Sequence, residues 1–99
     1  RAFVIRQVET TEAGQRFTIA AQDGQAVVAA KAGQYISVKV KVPGHDIEQP
    51  QQYKFDADQS GNQFVFEVKP EENHTEYSVS NILLNHYKAG DLVQVSAPL

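Results

Sequence analysis

Cysteine, methionine and tryptophan are all absent from this 99-residue chain. Without cysteine there can be no disulfide, no thiolate metal site and no thiol nucleophile, which fits a reducing compartment. No apolar run approaches the roughly 20 residues that a membrane-crossing helix needs, and no signal peptide is visible, so the expected location is cytoplasmic. An excess of positive charge is also missing: nine Lys and Arg stand against twelve Asp and Glu, a formal net charge of −3. This argues against nucleic acid as a partner, since such binders usually carry a basic patch. Proline (four) and glycine (six) are sparse, so they punctuate the chain rather than form a low-complexity segment. The length suits one domain with a modest core, residues 1–99. The chain starts on Arg1 rather than methionine and closes on Ser96-Ala97-Pro98-Leu99, so the expectation is a fragment of a longer protein.

What is present is alternation of apolar and polar residues, the period of half-buried strands. Phe3 to Val8 forms one candidate strand and Arg16 to Ala21 a second, separated by Gly14. Ala26 to Ala30 is a short edge strand or a lead-in. Tyr35 to Val42 is the clearest strand, with Ile36, Val38 and Val40 on one face and Ser37, Lys39 and Lys41 on the other; Pro43-Gly44 stops it. Residues 44–50 read as polar loop, Gln52 to Phe55 as renewed extended structure, and Asp58 to Asn62 as a turn. Phe64 to Lys69 is a strand ended by Pro70, and Glu71 to Ser78 an acidic loop. Ser80 to Tyr87 is the one convincing helix. Ser78 or Ser80 can cap it, because a hydroxyl accepts a bond from an unpaired first-turn amide. Gly90 is expected as its left-handed C-terminal cap, with Lys88 in the last turn. Asp91 to Ser96 closes as a strand. Short strands with turns every 8–15 residues indicate an all-β sandwich or barrel.

Five collinear strings carry a family resemblance. Gly33-Gln34-Tyr35-Ile36-Ser37-Val38-Lys39-Val40 resembles the "PGQYISVKV" strand of flavohemoproteins. Gln52-Tyr53 falls at the spacing of their "RQYSL" segment. Phe66 to Lys69 resembles "ISVKRE", and Val79-Ser80-Asn81-Ile82-Leu83 through His86 and Gly90-Asp91 resembles "VSNYLHN…VGD". Val95-Ser96-Ala97-Pro98 resembles "LSAPAGDF". The resemblance covers essentially the whole chain and is to the FAD-binding reductase domain of flavohemoproteins, a barrel of the ferredoxin reductase type. It implies a six-stranded antiparallel Greek-key barrel with one short capping helix. It also implies FAD as cofactor, an NAD(P)H-binding domain after it in the parent chain, and a globin domain before it that turns nitric oxide and oxygen into nitrate.

The same resemblance nominates cofactor-binding residues. Tyr53 matches the aromatic of the "RxYS" pattern, for stacking or hydrogen bonding to flavin; Tyr35 matches the tyrosine of "GQY", on the adenosine side. Gln51 and Gln52 precede that aromatic and Lys54 follows it, and Lys69 comes from the "VKRE" strand. Val79, Ser80 and Asn81 keep the helix start, whose amides suit a diphosphate. Several positions depart from the pattern. Gln51 replaces an arginine, and a lost charge-assisted bond costs about 1.5–3 kcal/mol. Lys54 replaces a serine, Pro70 an arginine and Tyr77 a glycine, while Glu71, Glu72 and Glu76 crowd the loop with negative charge. The expected function is the FAD-binding module of an NAD(P)H-dependent oxidoreductase, passing electrons from nicotinamide to haem or another acceptor. The isolated chain is not expected to be catalytic. The alternative is a degenerate, cofactor-free barrel serving as an interaction or spacer module through residues 44–52 and 70–78.

Other chemistry is thinly represented. His45, His74 and His86 match no zinc spacing, and His86, in helical register with Ile82, is expected to be partly packed. No phosphate-binding loop, dinucleotide fingerprint or nucleophile elbow occurs. Asp56 and Asp58 read as turn residues rather than as an acid–base pair.

Overall fold

The computed structural model describes residues 1–24, 34–57, 63–71 and 78–96. The expected edge strand at 26–30 and turn at 58–62 lie outside these, as do His74, Tyr77 and most of the acidic loop. Seven strands and one helix follow in order: β1 (Ala2–Thr10), β2 (Gln15–Ala21), β3 (Tyr35–Lys41), β4 (Glu48–Lys54), β5 (Asp56–Ala57), β6 (Gln63–Val68), α1 (Val79–His86) and β7 (Leu92–Val95). All pairings are antiparallel, in the order β4-β3-β7-β1-β2-β6-β5.

That order resolves into a barrel once the ends are compared. β4 begins the sheet and β5 ends it, yet only Phe55 separates them in the chain. They are two halves of one bent strand, the first paired with β3 and the second with β6. Counting them as one reduces seven strands to six, and β7 inserted between β1 and β3 makes the Greek key. No hydrogen-bonded ladder joins β4 directly to β6, so the barrel is open at this corner among the described residues. Helix α1 packs there, against β3, β4 and β6.

Alternation places the core. Ile36, Val38 and Val40 of β3, Phe17 and Ile19 of β2, Phe64, Phe66 and Val68 of β6, and Val93 and Val95 of β7 all point inward and are buried. Two aromatic triads meet at the corner. Phe64 lies between Phe3 and Phe55, with ring centroids 5.6 and 4.6 Å away. Phe66 lies between Phe17 and Tyr53, at 5.7 and 5.1 Å. The β6 rings therefore bridge the opening with packing rather than backbone bonds.

Four local features differ from the expectation. β1 carries a bulge: Ile5 faces Ile19 but Gln7 faces Thr18, so Arg6 is the extra residue. It reverses the inward parity, which brings Val8 rather than Gln7 against the core. β4 starts at Glu48, inside the stretch read as loop. Its outward Glu48, Pro50 and Gln52 leave no apolar alternation to read, and pairing with β3 imposes the extended form; proline is tolerated because β4 is an edge. Gly90 is not the helix cap. Tyr87 ends α1 in an extended conformation, and Gly90 (φ 98°) instead turns residues 88–91, where the Asp91 amide bonds the Lys88 carbonyl at 3.1 Å. That turn is pinned to the bulge by Gly90 N–H donating to Ile5 O at 2.7 Å and Ile5 N–H donating to Asp91 O at 2.9 Å. Lys88 thus lies beyond the helix. His86 is exposed rather than partly packed, because Leu84 and Tyr87 fill the core-facing side at that end.

Two further contacts matter for stability and shape. The backbones of Arg1 and Val95 exchange bonds of 2.9 and 3.2 Å, prolonging the β1–β7 ladder. Gly14, in the turn between β1 and β2, lies so close to the end of β6 that a Cβ there would sit 2.1 Å from the Val68 carbonyl oxygen. Backbone cannot give way as a flexible side chain can. Gly14→Ala is expected to cost about 1–3 kcal/mol; urea unfolding with a lowered midpoint and unchanged slope is the expected result, and an unaltered midpoint would contradict the contact.

Candidate functional site

The site is built where α1 meets the open corner. Ser78 is the helix cap: its hydroxyl accepts from the Asn81 amide at 3.1 Å. This satisfies a first-turn donor and leaves Ser80 for another task. Ser80 turns inward and is 3% exposed. Its Oγ shares a 2.8 Å hydrogen bond with the hydroxyl of Tyr53, itself 7% exposed. The helix start and the Tyr53 segment, 27 residues apart in sequence, are thereby in direct contact.

A ring of bonds surrounds this pair. Gln51 Nε2 donates to Ser80 Oγ and to Glu71 Oε1, each at 3.3 Å. Glu71 is held in turn by Asn81, whose side chain behaves like a peptide group. Its Oδ1 accepts from the Glu71 amide at 3.1 Å and its Nδ2 donates to the Glu71 carbonyl at 3.2 Å. The cluster joins β4, the exit of β6 and the first turn of α1, and it contains a carboxylate rather than a guanidinium. Among the described residues, no buried side-chain polar atom is left without a partner.

The sequence-nominated residues fall into two groups because the strand alternates. Gln51 and Tyr53 face inward with Val79, Ser80 and Asn81 at the helix start. Gln52 and Lys54 face outward. Tyr35, 43% exposed, stands opposite Lys54 across the β3–β4 ladder. Lys54 borders a shallow cleft of about 300 Å³ with Arg16, Phe55, Val65, Phe66 and Glu67. Lys69 is exposed and pairs loosely with Glu67 at 3.9 Å. Gln51 and Tyr53 therefore cannot share a face with Gln52 and Lys54, although the motif lists them consecutively. Two participants were missed in the sequence: Glu71, read only as loop charge, and Arg16, thirty-eight positions before Lys54 by subtraction of their numbers. Among the described residues, no three His, Cys, Asp or Glu side chains cluster as a metal site.

An FAD diphosphate does not match the inner cluster as it stands. Its side-chain donors are engaged internally, and Glu71 brings charge of the same sign as a phosphate. The outer strip of Tyr35 and Lys54 beside the cleft offers an exposed phenol and a cation, which suit the aromatic and polar parts of a flavin.

Burial pushes the Tyr53 phenol up from 10.0 to about 12; the Ser80 bond opposes the rise and the Glu71 carboxylate adds to it. Its folded pKa lies above its unfolded one, so the neutral phenol contributes stability that is whole below about pH 10 and lost as pH rises through about 12. A shift of that size is worth about 2–3 kcal/mol. Unfolding free energy measured from neutral to strongly alkaline pH is expected to fall over that window. Tyr53→Phe is expected to cost about 1 kcal/mol at neutral pH and to abolish that part of the alkaline loss. Identical alkaline profiles would mean that the phenol is not buried.

No family profile matches the chain. The flavohemoprotein of Halalkalibacterium halodurans is 36% identical over 103 residues, spanning 99% of this chain and 25% of that protein. The flavohemoprotein of Vibrio cholerae is 33% identical over 101 residues, spanning 99% of this chain and 26% of that protein. The chain thus spans about a quarter of the length of these relatives. Among solved structures, the flavohem-like FAD/NAD binding domain of nitric oxide dioxygenase from Vibrio cholerae O1 biovar El Tor superposes with a TM-score of 0.89 at 31% identity, covering all of this chain and 43% of that one. Flavohemoglobin from Malassezia yamatoensis, determined with bound FAD and heme, shares the fold at a TM-score of 0.82 and 22% identity, over 98% of this chain and 24% of that one. The likeness in sequence and the likeness of the barrel run together from one end to the other, and the chain belongs to the ferredoxin-reductase-type FAD-binding barrels, in the line of the flavohemoproteins.

Proposed function

We propose that this domain is the flavin-binding, electron-transfer module of an NAD(P)H-dependent oxidoreductase of the flavohemoprotein type, with FAD as its cofactor. The observation that carries the reading is the 2.8 Å contact between Tyr53 and Ser80. It brings the helix start against the strand that bears the "RxYS"-like segment, the juxtaposition that the family resemblance implies. The relatives support the same reading: one solved neighbour is an FAD/NAD binding domain and another carries FAD and heme.

In this reading the residues divide the work. Gln52 and Lys54 on the outer face of the β3–β4 hairpin orient the flavin, with Tyr35 on the adenosine side and Lys69 at the rim. Val79, Ser80 and Asn81 present the helix start, and Gln51 and Tyr53 form the wall behind it. Bound flavin would supply the redox chemistry, while the protein supplies position, electrostatics and exclusion of water. The parent protein would add an NAD(P)-binding domain as electron source and a globin domain with haem as acceptor. Its place would be the cytoplasm. The domain alone would bind flavin without turning over nicotinamide.

A second reading has one observation in its favour: the inner polar groups already satisfy one another. On that reading the barrel is cofactor-free and acts as an interaction or spacer module through residues 44–52 and 70–78. Titration of the purified chain with FAD separates the two. Quenching or shift of the flavin spectrum with saturable binding is expected, and Gln51→Arg should tighten it by about tenfold to 150-fold, the worth of one charge-assisted bond. A flavin spectrum unchanged by excess protein would leave the cofactor-free reading standing.

A further inference from the structure

We infer that Arg16 and Lys54 form a cationic rim around the seat of the flavin ring and raise the reduction potential of the bound flavin by favouring its reduced, anionic form. The inference rests on the flavin reading above and brings in Arg16, which the sequence motif does not nominate.

The cleft at the open corner has an apolar floor and a charged rim. Buried Phe55 and Phe66, with half-buried Val65, make the floor. Arg16 from β2, Lys54 from the end of β4 and Glu67 from β6 border it. Its volume of about 300 Å³ is at the lower end for a ligand site, which suits a ring system better than a whole FAD. Register brings the rim together. Arg16 stands opposite Glu67 in the β2–β6 ladder. Lys54 follows Tyr53 where the strand leaves β3 and bends toward β6. The nearby acids are held loosely: Arg16 meets Glu9 at 3.8 Å and Glu67 meets Lys69 at 3.9 Å, all on exposed side chains. Such pairs contribute little and leave the guanidinium able to turn to a ligand. Among the described residues the rim carries two positive charges against one negative.

That balance acts on the redox state of the ring. The oxidised ring is neutral, and two electrons with one proton, delivered by a nicotinamide or by dithionite, convert it to an anion. Arg16 and Lys54 bind the anion better than the neutral ring, while Glu67 opposes them. Charge beside the ring is one of the means by which a protein tunes a flavin. Preference for one redox state is a shift in potential: each tenfold preference for the reduced form raises a two-electron couple by about 30 mV. One charge at the rim of a half-open cleft is worth roughly that much.

The test is the midpoint potential of FAD held by a saturating excess of the whole chain, measured by anaerobic dithionite titration against a reference dye. Lys54→Gln and Arg16→Gln should each lower it by about 30 mV, a roughly tenfold loss of preference for the reduced ring. Glu67→Gln should raise it. Lys54→Arg keeps the charge and should hold the potential. Lys39→Gln serves as control: it removes an exposed cation opposite Pro50, four residues or roughly 13 Å along β4 from Lys54, and should leave the potential unchanged. The shifts should shrink at high salt. All these side chains are exposed, so the variants should fold, and circular dichroism with thermal melting establishes it. No shift in Lys54→Gln and Arg16→Gln with FAD bound, or shifts of the same sign in Lys54→Gln and Glu67→Gln, overturns the inference and leaves the flavin reading intact. FAD left unbound by the unaltered chain overturns the flavin reading and the inference with it.

Discussion

The hydrogen bond between Tyr53 and Ser80 is the constraint on which the corner of the barrel depends. Every other junction around the barrel is a ladder of backbone bonds, each redundant with its neighbours. Among the described residues there is no ladder between β4 and β6, and closure relies on Phe55 carrying the strand around the bend, on the Tyr53–Phe66 and Phe55–Phe64 ring pairs, and on α1, which is seated by its buried Val79, Ile82 and Leu83 and oriented by the Tyr53–Ser80 hydroxyl pair. A hydroxyl in an apolar interior is costly unless partnered. Tyr53 and Ser80 partner each other, and the helix is oriented as a result. Ser78 makes this arrangement possible by taking over the capping that Ser80 could otherwise have supplied.

The polar cluster extends outward from that bond in a definite order. Ser80 accepts from Gln51, Gln51 reaches Glu71, and Asn81 grips the Glu71 backbone. Four side chains from three separate segments thus fix one another. Such a network is specific because each member has few alternatives, and an unsatisfied member would cost more than its bond is worth. The same order explains why the cluster resists reassignment to a ligand: each donor that would turn to a phosphate must first leave a protein partner.

Much of the fold was legible because alternation is a direct record of which face is buried. Ile36, Val38 and Val40 could only lie inward together, and Phe64, Phe66 and Val68 likewise. The features that escaped are those where a non-local contact overrides the local pattern. Arg6 gives no sign of being a bulge, since the bulge shows only in its partner's register. Glu48 to Gln52 has no apolar rhythm and becomes strand because β3 offers it a ladder. Gly90 does sit in a positive-φ conformation, but it serves a turn tied to β1 rather than the helix end. At the site, the meeting of Tyr53 with Ser80 agrees with the motif. The split between Gln51 and Tyr53 on one face and Gln52 and Lys54 on the other was implicit in the two-residue period. Glu71 was visible only as charge, because its approach to Gln51 depends on a clamp from a residue ten positions away.

The pairing of Arg1 with Val95 ties the entry of β1 to the exit of β7. The first residue and the last strand meet through two backbone bonds on one rim. Fraying at either strand end would release a backbone partner of the other, so the start of β1 and the end of β7 open or stay shut together.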